Sequence, residues 1–360
     1  MPHQLGIPQQ PIVSLAYPGA EALKSSLEVF KDILKSLGAI AFLGTGTVQF
    51  ETIPPRGTAI TTKFMQIETI LEKILDFWLL APRASVYSVA FSPDSRTLVS
   101  GGADRTILVW DFYTAQQKYV LRNHSDWVYS VTISPDGQTL VSGSMDKTIK
   151  VWNLNTGEEI RTLVGHSDAV SSVAISPDGQ TIVSGSKDTT IKLWDLKTGQ
   201  ELRTITDPSD WVYSVAISPD GQTIVSGCAD ATIRVEKRGI LTGHSSSVTS
   251  VAISPDGQTL VSGSIDETIK VWDLRTGQDL LKLAGHSGGV TSVAISPDGQ
   301  RVVSGGNDNT VKVWDLKTGQ NIHTFTGHLE AVLSVAISPK GLVIASGSRN
   351  DVMRIWIMPS

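Results

Sequence analysis

From Val86 onward, short apolar runs alternate with polar turns in one phrase that returns seven times. A full copy opens with V-x-S-V-A-I-S, for example Val170 to Ser176. Its residues are small or apolar at successive positions, as expected of a strand covered on both faces. Ser-Pro-Asp-Gly then supplies a tight turn: Pro presets φ, Asp can bond back to the backbone, and Gly tolerates positive φ. T-L-V-S-G-S predicts a second strand and T-I-K-V-W a third. An Asp occupies the short turn between them: Asp104, Asp146, Asp188, Asp230, Asp266 and Asp308. A Thr-Gly turn (Thr156-Gly157, Thr198-Gly199, Thr276-Gly277, Thr318-Gly319) leads to an outer fourth strand.

The turn prolines Pro93, Pro135, Pro177, Pro219, Pro255, Pro297 and Pro339 lie 42 residues apart, except for one interval of 36 between Pro219 and Pro255. One such unit cannot bury its own faces and must stack on neighbours. Seven of them predict an all-β fold, a seven-bladed toroid or β-propeller.

A Gly-His pair and a Trp-Asp pair recur at constant offset in most units, and these resemble the WD-repeat β-propeller family over about residues 82 to 356. The resemblance implies a buried hydrogen-bonded set of His, strand Ser, turn Asp and Trp within each blade. Carried onto this chain, the sets are His124, Ser142, Asp146 and Trp152; His166, Ser184, Asp188 and Trp194; His244, Ser262, Asp266 and Trp272; and His286, Ser304, Asp308 and Trp314. Three blades depart from the pattern. The first has Pro82 in place of the His but keeps Ser100, Asp104 and Trp110. The seventh keeps His328, Ser346 and Trp356 but puts Asn350 at the Asp position. The fourth replaces the His with Pro208 and the Trp with Glu236, and holds the short interval. A clipped outer strand near Ile240 to Gly243 is expected there, leaving the third strand, Thr232 to Val235, as an open pairing edge.

Ahead of the repeats the pattern turns helical. Leu23, Leu27, Phe30, Leu34 and Leu37 share one face, as do Ile67, Ile70, Leu71, Ile74, Leu75 and Trp78. Residues 1–74 therefore read as an N-terminal segment with two amphipathic helices, and 75–360 as the propeller. A strand at about 75–81 is expected to close the ring on the last blade, with Thr45 to Ile53 as its rival.

Composition narrows the function. Hydrophobic residues make up 40% and charged residues 18%, an ordinary globular balance. A net charge of −5 gives no reason to expect nucleic acid or an anionic membrane as partner. The only cysteine, Cys228, excludes an internal disulfide, and with no secretory signal visible a cytoplasmic setting is expected. Ser, His and Asp in one unit invite a hydrolase reading. Catalysis needs one exposed constellation with an oxyanion site, whereas these sets recur and include a Trp. No catalytic residue, metal site or cofactor is expected. Asn307-Asp308-Asn309 lacks the spaced carboxylates of a calcium loop, and Gly44-x-Gly46 is not followed by the Gly-Lys of a phosphate loop. Basic residues recur in the third strands at Lys150, Lys192, Arg234, Lys270, Lys312 and Arg354. Carboxylates close by, such as Asp195, Asp273 and Asp315, are expected to offset their field.

The least repetitive positions flank the first strands: Tyr87 in blade one, Trp127 and Tyr129 in blade two, Trp211 and Tyr213 in blade four. Other blades carry Ala169, Ser171, Gly289 and Thr291 there. By resemblance these offsets lie on the rim of the narrower face, where partner peptides dock, and aromatics are frequent binding hot spots. The sequence thus predicts a non-catalytic interaction scaffold for a protein or peptide partner. The alternative is the sensor or targeting module of a kinase or NTPase system whose catalysis lies on another chain. The sequence defines no oligomeric state.

Overall fold

The computed structural model describes residues 42–44, 47–49, 84–114, 116–206, 208–349 and 353–359. Among them there is no helix. From Val86 the chain folds into six four-stranded antiparallel sheets and one three-stranded sheet, each taking consecutive strands in order. Blade three is representative: Val170–Ile175, Thr181–Ser186, Ile191–Asp195 and Glu201–Ile205 run from innermost to outermost strand. The innermost strand of each blade packs against that of the next, and Val332–Ile337 of blade seven packs against Val86–Phe91 of blade one. The sheets therefore close into a seven-bladed β-propeller.

The turns follow their residues. Gly137 sits at φ 72° and its N–H donates to the Ser134 carbonyl at 2.8 Å. Asp136 accepts the Gln138 N–H at 2.9 Å, and the Ser134 hydroxyl accepts the Thr139 N–H at 2.9 Å.

No blade has a core of its own. The buried apolar residues fall into seven clusters, each shared by two adjacent blades. One joins Val99, Ile107 and Leu121 of blade one to Val128, Leu140 and Trp152 of blade two. Another joins Val86, Leu98 and Trp110 to Ala345, Met353 and Ile355 across the closing junction. Burying a side chain of this kind contributes roughly 1.5–3 kcal/mol.

A polar belt runs inside these layers. The Ser88 hydroxyl accepts the Val131 N–H at 3.0 Å, and the bond recurs from Ser130, Ser172, Ser214, Ser250 and Ser292 to the next blade. Ser334 makes it to Val89 at 3.1 Å, so the seventh junction is bonded like the other six. Backbones approach closely beside the belt: a Cβ on Gly185 would meet Val212 Cγ1 at 2.5 Å, and one on Gly347 would meet Val86 Cγ1 at 2.5 Å.

Blade seven shows three strands, Val332–Ile337, Val343–Ser348 and Met353–Ile357. The closing strand expected at 75–81, both expected helices and the 74/75 boundary lie outside the described residues. Within the rival stretch, Thr47–Gln49 pairs antiparallel with Phe42–Gly44. Blade four corrects one expectation. Its third strand, Ile233–Val235, is paired along its length with Gly239–Leu241, so it is not an open edge. The missing six residues shorten the strands and their turn without removing the fourth strand.

Candidate functional site

In four blades the structure brings the His, Ser, Asp and Trp together with nearly superimposable geometry. His124 Nδ1 lies 2.8 Å from Asp146 Oδ2, and Nε2 lies 2.7 Å from Ser142 Oγ. The Trp152 indole N–H donates to the same Ser142 Oγ at 2.9 Å. The distances repeat for His166, Asp188, Ser184 and Trp194, for His244, Asp266, Ser262 and Trp272, and for His286, Asp308, Ser304 and Trp314. A fifth member was not anticipated from sequence. The Thr148 hydroxyl donates to Asp146 Oδ1 at 2.6 Å, as do Thr190, Thr268 and Thr310 to their own aspartates.

The bonds form a directed chain. Asp146 accepts from His124, from the Ser125 and Thr148 backbone N–H groups and from the Thr148 hydroxyl. Burial alone would raise the Asp146 pKa, but the bonds from His124 and Thr148 hold it well below the ordinary carboxylate value. Asp266 behaves alike: against burial, Thr268, Ser245 and His244 lower it to about 2. Burial lowers the His166 and His244 pKa values despite their aspartates, which favours the neutral imidazole. A neutral ring that donates from Nδ1 to carboxylate must accept at Nε2, so the serine proton points at His and its lone pair at Trp. Ser142, Ser184, Ser262 and Ser304 are all 0% exposed. Direction and tautomer match those of a catalytic triad, but the serine oxygen is enclosed and already engaged on two sides.

The irregular blades differ as their residues require. In blade four, with no imidazole, the Ser209 hydroxyl and the Arg234 guanidinium donate to Asp230 at 2.5 and 3.1 Å. Glu236, where a Trp belongs, accepts from Arg203 of blade three. Among the described residues buried Ser226 has only the Cys228 thiol as hydrogen-bond partner, at 3.8 Å. In blade seven, Ser346 keeps its bonds to His328 and Trp356, both at 2.7 Å. Among the described residues His328 Nδ1 is buried without a partner; burial first, and Arg354 second, push its pKa down to about 3. In blade one, Asp104 accepts the N–H and hydroxyl of Thr106 at 3.0 and 2.8 Å.

The third-strand cations are held by partners other than those expected. Lys150 and Lys192 pair with Glu159 and Glu201 on the outer strands, and Lys270 with Asp279. Asp195, Asp273 and Asp315 instead cap the turns at Thr198, Thr276 and Thr318.

The sequence-predicted aromatics gather on one sector. The loops entering each innermost strand and those joining second to third strands meet on one face, as the Ser125–Asp146 bond shows. There Tyr87 stacks on Trp127 across the first junction, with centroids 5.6 Å apart, and meets Tyr129 edge-on at 5.2 Å. Trp211 and Tyr213 form a second edge-on pair at 6.3 Å. Trp127 and Trp211 nevertheless remain 39% and 43% exposed. Blades three, five and six put hydroxyls at the Tyr positions: Ser171, Thr249 and Thr291 donate to the Val212, Val290 and Val332 carbonyls of the next blade.

Among the described residues no helix is long and apolar enough to cross a membrane, and no group of His, Cys, Asp or Glu is arranged to hold a metal ion. The family model for the first β-propeller of IFT122 matches residues 85–235. That for the WD domain, G-beta repeat, matches residues 236–273, 277–315 and 319–356. No curated protein matches the chain. With matched stretches running from residue 85 to residue 356 over a ring of seven blades, the chain belongs to the WD-repeat β-propeller family.

Proposed function

We propose that this protein is a non-catalytic scaffold, working in the cytoplasm, that docks a protein or peptide on the narrow face of the ring through Tyr87, Trp127, Tyr129, Trp211 and Tyr213. Propellers of this family typically serve protein interactions. The observation that carries the reading is the uneven rim: the aromatic rings lie in blades one, two and four, and two indoles stay solvent-facing in spite of their contacts across the junction. Exposed Trp at such a site is the residue most often found to dominate binding. The Ser-His-Asp-Trp sets are walls in this account. Each serine of these sets is enclosed, with its proton and one lone pair committed, which argues against a nucleophilic role. The pairing of Lys150, Lys192 and Lys270 with carboxylates argues against these three cations as a nucleic-acid footprint.

Affinity capture with the intact protein and with a Trp127→Ala/Trp211→Ala variant tests the reading. The variant should lose a partner that the parent recovers, while its thermal unfolding stays within a few degrees. Equal recovery by both proteins would refute it.

A further inference from the structure

Blade three interrupts the aromatic sector. Where blades two and four carry Trp and Tyr, it carries Ala169 and Ser171, and from its turn rises Lys187. The Lys187 Nζ lies 5.3 Å from the Tyr129 ring centroid on one side and 5.0 Å from the Trp211 centroid on the other. The two rings, from blades on either side, therefore stand no more than about 10 Å apart with an ammonium between them. Its counterpart Lys147 donates to the Ser167 carbonyl at 2.9 Å, whereas the Lys187 ammonium makes no hydrogen bond or ion pair among the described residues and lies over the two rings. Three carboxylates sit in the loops entering the first strands of blades two, three and four. Asp126, Asp168 and Asp210 each spend Oδ1 on the following backbone N–H, at 2.7–2.8 Å. Their charges are felt by the rings: after burial and Tyr87, Asp126 and Asp168 help to raise the Tyr129 pKa, and after burial Asp210 raises that of Tyr213. Two electron-rich faces about 5 Å from one point, inside a rim of negative charge, form a receptor for a cation.

We propose that the gap between Tyr129 and Trp211 is a cation-recognition slot, occupied in the free protein by the chain's own Lys187, and that the docked partner is a peptide whose lysine or arginine side chain displaces it. This deepens the docking reading above and rests on it. Lys187 acts as an internal competitor. If it fills the slot about 90% of the time, it weakens a peptide's apparent affinity about tenfold. Negative charge at Asp126, Asp168 and Asp210 selects a basic peptide over an acidic one.

The test titrates the full chain with pentapeptides acetyl-Gly-Ser-X-Ser-Gly-amide, X being lysine, arginine, norleucine or glutamate, followed by tryptophan indole NMR. The lysine and arginine peptides should bind weakly, and the norleucine and glutamate peptides should not. Removing the competitor by Lys187→Ala, or by Lys187→Gln as a second variant, should tighten cation binding about tenfold. Trp211→Ala should abolish it. Unchanged or weaker cation binding in both Lys187 variants would overturn the proposal. So would a glutamate peptide that binds the parent and is lost with Lys187, since Lys187 would then be the recognition group for an acidic partner. If no cationic peptide binds while partner capture still depends on Trp127 and Trp211, the docking face stands and the slot falls.

Discussion

Ser184 and Ser226 occupy the same register position in blades three and four, and both are 0% exposed. They differ in what surrounds the hydroxyl. Ser184 donates to His166 Nε2 at 2.7 Å and accepts from the Trp194 indole at 2.9 Å. Ser226 has Pro208 and Glu236 where those rings belong, and only the Cys228 thiol at 3.8 Å for company. Changing each to Ala removes the same atom from the same depth. In blade three it strands a buried imidazole nitrogen and a buried indole N–H, each costing roughly 1–3 kcal/mol, so Ser184→Ala should cost about 2–6 kcal/mol. In blade four a weak thiol contact is lost, and Ser226→Ala should cost less than about 1 kcal/mol. Urea unfolding followed by circular dichroism reads both, provided the m-values agree with that of the parent. If the two substitutions cost the same, burial of the serine rather than its network supports the blade, and the structural role given to these sets is wrong.

The remaining predictions probe closure, strain and titration. Gly347→Ala presses a methyl against Val86 Cγ1 at 2.5 Å and the Val86 carbonyl at 3.0 Å at the closing junction; it should cost about 1–3 kcal/mol in the same assay, and a neutral result would mean the junction is loose. Thr189, β-branched, is held at φ 66° where blade six has Asn309 at φ 65°. Thr189→Asn should therefore stabilise by about 0.5–1 kcal/mol, and a lower melting temperature would contradict it. His328 has its pKa lowered to about 3 in the fold, against about 6.5 unfolded. Its neutral form contributes stability that is complete above pH 6.5 and lost as pH falls toward 3, by up to about 1.4 kcal/mol per pH unit. His328→Gln should flatten the decline in melting temperature between pH 6.5 and 4; an unchanged slope would remove His328 as its source.

Blade number and strand order could be read from the chain because one phrase repeats at fixed offset, and the four complete sets because the family resemblance implies them. What was not legible depends on partners that no local pattern names, some of them a full repeat away. The Ser88-type belt looks like ordinary strand serine, since its acceptor role appears only when Val131, a full repeat away, packs beside it. Thr148 and its counterparts merge into a β-prone T-I-K-V-W strand although they complete the aspartate's shell. The carboxylates nearest the lysines in sequence, such as Asp195, are spent on turns, while Glu201 on the outer strand reaches Lys192. Blade four's gap in length suggested an open edge, but three residues on each side suffice to pair Ile233–Val235 with Gly239–Leu241. The Lys187 slot draws on blades two, three and four at once, and no local pattern contains it.

The central claim is that one sector of one face does the binding while the repeated polar sets only hold the ring. Hydrogen exchange of the intact protein, alone and saturated with the partner recovered by capture, tests it most directly. The account predicts new protection around Ser125 to Tyr129, Met145 to Lys147, Lys187 to Thr189 and Ser209 to Tyr213. Protection confined to the Ser-Pro-Asp-Gly turns or to the outermost strands, with those loops unchanged, would contradict it.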